Sequence, residues 1–68
     1  MSKLLKIDDV TAKVRQSRAW VYEKTKRKRF PAPIHIDGSR ISRWVESDVD
    51  QWIAEQVAAT RAREATNG

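Results

Sequence analysis

The chain has 68 residues, which is room for one domain at most. It has no cysteine, so neither a disulfide nor a thiolate metal site can staple it. No stretch approaches the roughly 18 apolar residues of a membrane span, and no apolar signal segment leads the chain, so a cytoplasmic protein is expected. A domain this small is marginally stable and must rest on a compact apolar core. The candidates are Trp20, Trp44, Trp52, Phe30, Tyr22 and some aliphatics. The net charge is +5, and its distribution is uneven. Residues 1–29 carry ten Lys/Arg against three acids, while residues 30–68 carry four against six. Such segregation suits one face meant for a polyanion, against the plainer reading of a merely basic, soluble protein.

Leu4, Leu5 and Ile7 form a short apolar lead. Asp8 or Asp9 can cap a helix start, and Val10 and Val14 then share one face, so helix 1 is expected at about 8–15. Arg15-Gln16-Ser17 reads as a break. Ser17 is a good N-cap, which starts helix 2 at about Arg18 and runs it into the basic stretch Lys26-Arg27-Lys28-Arg29. Two short helices joined by such a turn make a helix-turn-helix. Pro31 and Pro33 end the second helix, since proline lacks the N–H and restricts the residue before it.

Ile34-His35-Ile36 alternates like a strand, and Asp37-Gly38 signals a two-residue type I′ turn. That turn pairs Ile36 with Ser39, His35 with Arg40 and Ile34 with Ile41. Ile34 and Ile41 are then expected inside, with His35 and Arg40 outside. Strict alternation also turns Arg43 inward, unless the strand ends or bulges there. Ser47-x-x-Asp50 resembles a capping box. Behind it Val49, Trp52, Ile53, Gln56 and Val57 follow a helical period, so helix 3 is expected at about 47–63. Its acidic first turn suits the helix dipole and suits DNA poorly. The fold class is therefore mainly α with a small β-hairpin: helix-turn-helix, two-stranded wing, C-terminal helix. Residues 1–63 form the domain, and 64–68 are expected to fray.

Helix 2 is the recognition candidate. Its helical phase puts Val21, Tyr22 and Thr25 on the core side, and Trp20, Glu23, Lys24 and Arg27 on the other. Arg18 lies early in the helix, where base or phosphate contacts commonly fall. An outward Trp20 suits DNA contact; a different phase packs it in the core, and both readings stand. Lys26 to Arg29 suit phosphates by position, although charge runs often only solvate a surface. Arg40 can enter a minor groove or hold a phosphate. His35 is either an exposed strand residue or a contact. Catalysis finds little support: there is one histidine, no Gly-rich phosphate loop and no nucleophile elbow. Asp48 and Asp50 read as helix-start acids. No enzyme activity, cofactor, metal, membrane or small-molecule partner is expected.

The blocks Ser17-Arg18-x-x-Val21-Tyr22, Arg29-Phe30-Pro31-x-Pro33-Ile34, Gly38-x-Arg40 and Arg43-Trp44-Val45-Glu46-Ser47-Asp48-Val49-Asp50-x-Trp52-Ile53 resemble the AlpA family over residues 4–57. These are small phage and prophage regulators related to excisionases and to the DNA-binding domain of MerR-type regulators. The resemblance implies a winged helix-turn-helix whose helix 2 enters the major groove and whose wing reaches the minor groove. It implies DNA contacts at Ser17, Arg18, Trp20, Lys24 and Arg27, and at Arg40 in the wing. It implies action as a transcription regulator or as a recombination directionality factor that helps an integrase excise an element. The family often carries glycine before the helix 2 cap and before the Phe-Pro motif; here Arg15 and Lys28 stand there. Lys24 and Thr25 stand where many members carry aliphatics. Two other readings are an interaction adaptor using helix 3, with non-specific nucleic-acid binding, and a single-strand binder stacking on Trp20. So small a module makes few base contacts, so self-association on adjacent DNA sites is also expected.

Overall fold

A computed structural model describes residues 2–67. The order is β1 (Leu4–Leu5), α1 (Ile7–Val14), α2 (Arg18–Lys26), β2 (Ile34–His35), a turn at Ile36–Gly38, β3 (Ser42–Val45) and α3 (Glu46–Asn67). This is a winged helix-turn-helix. The wing is broader than a hairpin, because β1 adds to it: the sheet order is β1-β3-β2, antiparallel throughout. The lead Leu4-Leu5 is thus a strand, paired with Val45 and Trp44. Two residues are too short for a period-2 signal, and only the pairing with β3 makes them a strand.

Local chemistry explains each helix end. The Lys6 N–H donates to the Asp9 carboxylate at 3.0 Å, capping α1. The Ser17 hydroxyl accepts from the Trp20 N–H at 3.1 Å, as its N-cap chemistry predicts. At the end of α2 the Arg29 N–H reaches the Lys24 carbonyl at 2.9 Å, and the Lys28 N–H reaches that of Thr25 at 3.0 Å. That pair of bonds is a Schellman closure, which places Lys28 in the left-handed region, at φ 61. Arg15 is left-handed too, at φ 58, and the Arg15 and Gln16 N–H groups both bond the Thr11 carbonyl. Those are the two positions where the resemblance implies glycine, which takes this backbone at no steric cost. A left-handed L-residue costs about 1–2 kcal/mol, and glycine gives back about 0.5–1 kcal/mol through unfolded-chain entropy. Arg15→Gly is therefore expected to stabilise the domain by about 0.5–1 kcal/mol at physiological salt. A thermal melt below that of the parent protein would refute this.

The core is Leu5, Val10, Val21, Phe30, Trp44 and Val49, with Ile7, Val14, Trp20, Trp52 and Ile53 packed against it. Trp44 is 1% exposed, and its indole N–H donates to the Pro31 carbonyl at 3.0 Å. Beside the core, Trp20, Phe30 and Trp52 form a triangle of edge-on rings. Its centroid distances are 6.0, 6.1 and 4.9 Å. This ties α2 to α3, and the Trp52 N–H adds a bond to the Arg29 carbonyl at 2.9 Å. Opposite them, Lys13 bridges α1 to α3 through Asp50 at 2.8 Å and Glu46 at 3.5 Å. The hydrogen bond to Asp50 and the attraction of both carboxylates raise the Lys13 pKa above its ordinary value, outweighing desolvation.

The wing corrects two expectations. Asp37 and Gly38 do have positive φ, at 51 and 66, and Ser39 N–H bonds the Ile36 carbonyl at 2.9 Å, so the type I′ turn forms. The ladder beyond it is shifted by two. Ile36 N–H bonds the Ile41 carbonyl at 3.0 Å, His35 pairs with Ser42, and Ile34 with Arg43. Ser39 and Arg40 bulge out between, and the Ser39 hydroxyl takes the vacated positions, bonding the Ile36 carbonyl and accepting from the Ile41 N–H. A slip of two keeps each side chain on its own face of the ladder, yet the buried face is the other one. Trp44 and Leu5 face inward, while Ile34 and Ile41 are 43% and 50% exposed. One indole buries more area than either isoleucine and here also finds an acceptor, so Trp44 decides the inside. Arg43 accordingly turns away from Trp44, with no need for the strand to end.

The third helix begins one residue early, at Glu46, so Ser47 lies inside it rather than capping it. The Glu46 N–H bonds the Lys3 carbonyl and the Ser47 N–H the Ser2 hydroxyl, each at 2.8 Å. The incoming strand therefore satisfies the helix start that a capping box was expected to serve, and Asp50 is left for Lys13. Helical geometry continues past the expected end at 63 as far as Asn67, and Gly68 lies outside the described residues. Among the described residues of this helix, only Val49, Trp52 and Ile53 join the core; residues 54–65 are exposed, Val57 and Gln56 among them.

Candidate nucleic-acid interface

The outer face of α2 is set by what the core takes. Val21 is fully buried, and Trp20, Lys24 and Thr25 are half-buried beside it. Trp20 therefore belongs to the aromatic triangle and not to the outward face that the helical phase suggested. Tyr22, expected inside, is 51% exposed and leans its ring on Trp44 with centroids 6.2 Å apart. The two aromatics have exchanged roles. A nine-residue helix has about two and a half turns, so one residue of phase decides which ring is buried. The Trp20 ring sits where Phe30 and Trp52 enclose it.

Arg18, Ala19, Tyr22, Glu23, Lys26 and Arg27 remain exposed on α2. Arg18 donates from Nε to the Asp8 carboxylate at 3.1 Å, with a second bond from its terminal nitrogen. Arg27 pairs with Glu23 at 3.1 Å, one helical turn back. All four side chains are more than half exposed, and such pairs in water hold weakly. Both guanidiniums are thus paired with exposed counter-ions, on α1 for Arg18 and on α2 for Arg27, that a polyanion can replace. Ser17 lends its hydroxyl to the helix cap. Lys24 puts its ammonium 5.9 Å from the centre of the Trp20 ring, a cation–π placement.

The basic run leaves the helix axis at Lys28. Its left-handed turn spreads Lys26, Arg27, Lys28 and Arg29 over the end of α2, and all four are exposed. Among the described residues Lys26, Lys28 and Arg29 form no salt bridge. Lys28 and Arg29 share a shallow groove with Asp48 and Glu55 of α3, so acidic α3 begins directly beside the basic turn. In the wing, Arg40 stands exposed on the bulge. His35 is exposed, with Nδ1 3.5 Å from the Ser42 hydroxyl.

The structure thus places Arg18, Lys26, Arg27, Lys28, Arg29, His35 and Arg40 in three groups, on the outer face of α2, its closing turn and the wing, while Trp20 and Lys24 lie apart against α3 and Ser17 serves the helix cap. It also brings Lys6, Tyr22 and Arg43 to the cleft that holds Arg40, a grouping the sequence reading did not make. Their signals were present but faint. Lys6 directly precedes an acid-capped helix, Tyr22 follows a buried valine, and Arg43 alternates with Trp44.

Residues 3–57 match the family described as prophage CP4-57 regulatory protein (AlpA). Neither a curated protein nor a solved structure matches the chain.

Proposed function

We propose that this chain, which belongs to the AlpA family of prophage regulatory proteins, is a sequence-specific double-stranded DNA-binding protein of a mobile element. It acts as an excisionase, a transcriptional regulator, or both. The observation that carries the reading is the placement of charge: Arg18, Lys26, Arg27, Lys28, Arg29 and Arg40 lie exposed along α2, its closing turn and the wing. The mechanism follows from dimensions and charge. The major groove is about 12 Å wide and admits one helix, and α2 offers Arg18 and Arg27 on its exposed side. Both guanidiniums exchange their carboxylate partners for guanine edges or phosphates. The basic turn meets the backbone next to the groove, and the wing reaches the adjacent minor groove with Arg40. The protein breaks no bond; in excision it shapes the DNA on which an integrase acts. Its place of action is the bacterial cytoplasm, and neighbouring copies associate on adjacent sites, which increases the few contacts of one copy.

A gel-shift titration over the chain's own promoter and attachment region tests this. We expect a clear preference for that DNA over random duplex at moderate salt. Arg18→Ala with Arg27→Ala is expected to reduce the preference at least tenfold, since a lost guanine contact costs about 1–3 kcal/mol of discrimination. No preference in the parent protein refutes the reading. A preference that survives the double variant moves recognition off these two arginines.

A second reading rests on α3, whose residues 54–65 are exposed and leave the core behind. There the protein is an adaptor that recruits a partner through α3 and binds nucleic acid without specificity. It requires the protein to work in the cell with both arginines removed.

A further inference from the structure

Between α2 and the wing lies a shallow cleft of about 380 Å³, rimmed by Lys6, Tyr22, Arg40, Ile41 and Arg43. Its polar chemistry is one-sided. Three of these side chains are cationic against one carboxylate in the cleft, Asp8, which pairs with Arg18 in the free protein. The Tyr22 ring is steadied by Trp44 at its back, and its hydroxyl has no hydrogen-bond partner among the described residues. The Arg43 guanidinium is anchored through one nitrogen to the Ser42 carbonyl at 2.8 Å, which leaves its other donors available.

We infer that this cleft is a seat for one phosphodiester stretch of the DNA backbone, held by Lys6, Tyr22, Arg40 and Arg43. The inference rests on the DNA-binding reading above and adds a geometric necessity to it. If α2 lies in a major groove and the wing in the neighbouring minor groove, the strand dividing the two grooves must cross between them. On this molecule that crossing is the cleft. Its chemistry fits the passenger: cations for the phosphate charge, a fixed phenol as a neutral donor, and Ile41 against the apolar side of a deoxyribose. Contacts of this kind fix register and carry no base information. The cleft therefore sets where α2 stands in its groove, while Arg18 and Arg27 read the sequence.

The test is a set of three variants, Lys6→Gln, Arg43→Gln and Tyr22→Phe, titrated against the protein's own site and a random duplex over a range of salt. All three residues are wholly or partly solvent-facing, and a circular dichroism melt checks that each variant folds. Each cation removed is expected to make the slope of log K against log salt shallower by about 0.9. Binding to both duplexes then falls together, so the sequence preference stays unchanged. Tyr22→Phe is expected to weaken both about tenfold with the slope intact, as loss of a neutral donor to a charged group does. Ethylation interference then disappears at the phosphates between the two grooves. The proposal is overturned if folded variants keep the parent slope and interference pattern while the parent still prefers its own site. It is equally overturned if they lose only an acidic protein partner. A parent protein with no preference for its own site, and no difference from the variants on random duplex, refutes both this seat and the DNA-binding reading. Different slopes on random duplex alone keep the seat and refute only sequence specificity.

Discussion

Trp44→Ala is expected to remove about a third or more of the domain's stability. The side chain is 1% exposed, forms the inward face of the sheet with Leu5 and supports the Tyr22 ring. Removing a buried tryptophan costs about 3–5 kcal/mol. A domain of this length has only about 3–10 kcal/mol to lose, at roughly 0.05–0.15 kcal/mol per residue. The change also strips the Pro31 carbonyl of its donor. The melting temperature should fall by at least about 12 °C, at some 4–8 °C for each kcal/mol in a domain of this size. Trp44→Phe separates the two effects, because it keeps a ring and loses the hydrogen bond. It should cost less than half as much. A Trp44→Ala protein melting within a few degrees of the parent would show that the sheet's inner face does not hold the fold.

The second large effect concerns binding. Replacing Lys26, Lys28 and Arg29 together with glutamine should make the salt dependence of DNA binding shallower by about 2.7, at about 0.9 for each phosphate contact. Affinity for the chain's own site and for random duplex should fall in step. Arg27 is left in place because its partner Glu23 already neutralises part of its charge in the free protein. The three residues are exposed and form no salt bridge among the described residues, so the fold should change by no more than about 0.5 kcal/mol. An unchanged salt slope in the triple variant would mean that the basic turn is only a solvated surface.

Packing and charge meet at the closing turn of α2. Lys28 takes a left-handed conformation that glycine adopts at no steric cost, and it places a cation there. The turn also offers its backbone to the core, since the Arg29 carbonyl receives the Trp52 N–H. Packing and charge thus use different atoms of the same few residues. Side chains can be changed there without loosening the aromatic triangle.

Much was legible because it is local. Ser17 caps α2 and Asp37-Gly38 makes the turn, each through a bond or a dihedral within four residues. The prolines were expected to end α2 after Arg29, but the closure at Lys28 ends it at Lys26, ahead of them. The motif blocks around Phe30 and Trp44 led to the family, and the run from Lys26 to Arg29 to the charged end of α2. What the tertiary structure alone decided is which side of each element faces in. Trp20 and Tyr22 exchange places because Phe30 and Trp52, eight residues or more away in sequence, enclose one ring and not the other. Trp44 and Leu5 displace Ile34 and Ile41 from the interior because the largest side chain with a partner for its N–H gains most from burial. Leu4-Leu5 becomes a strand only where β3 lies alongside it. The cleft between α2 and the wing exists because that strand, helix and bulge converge, which no local pattern in the sequence encodes.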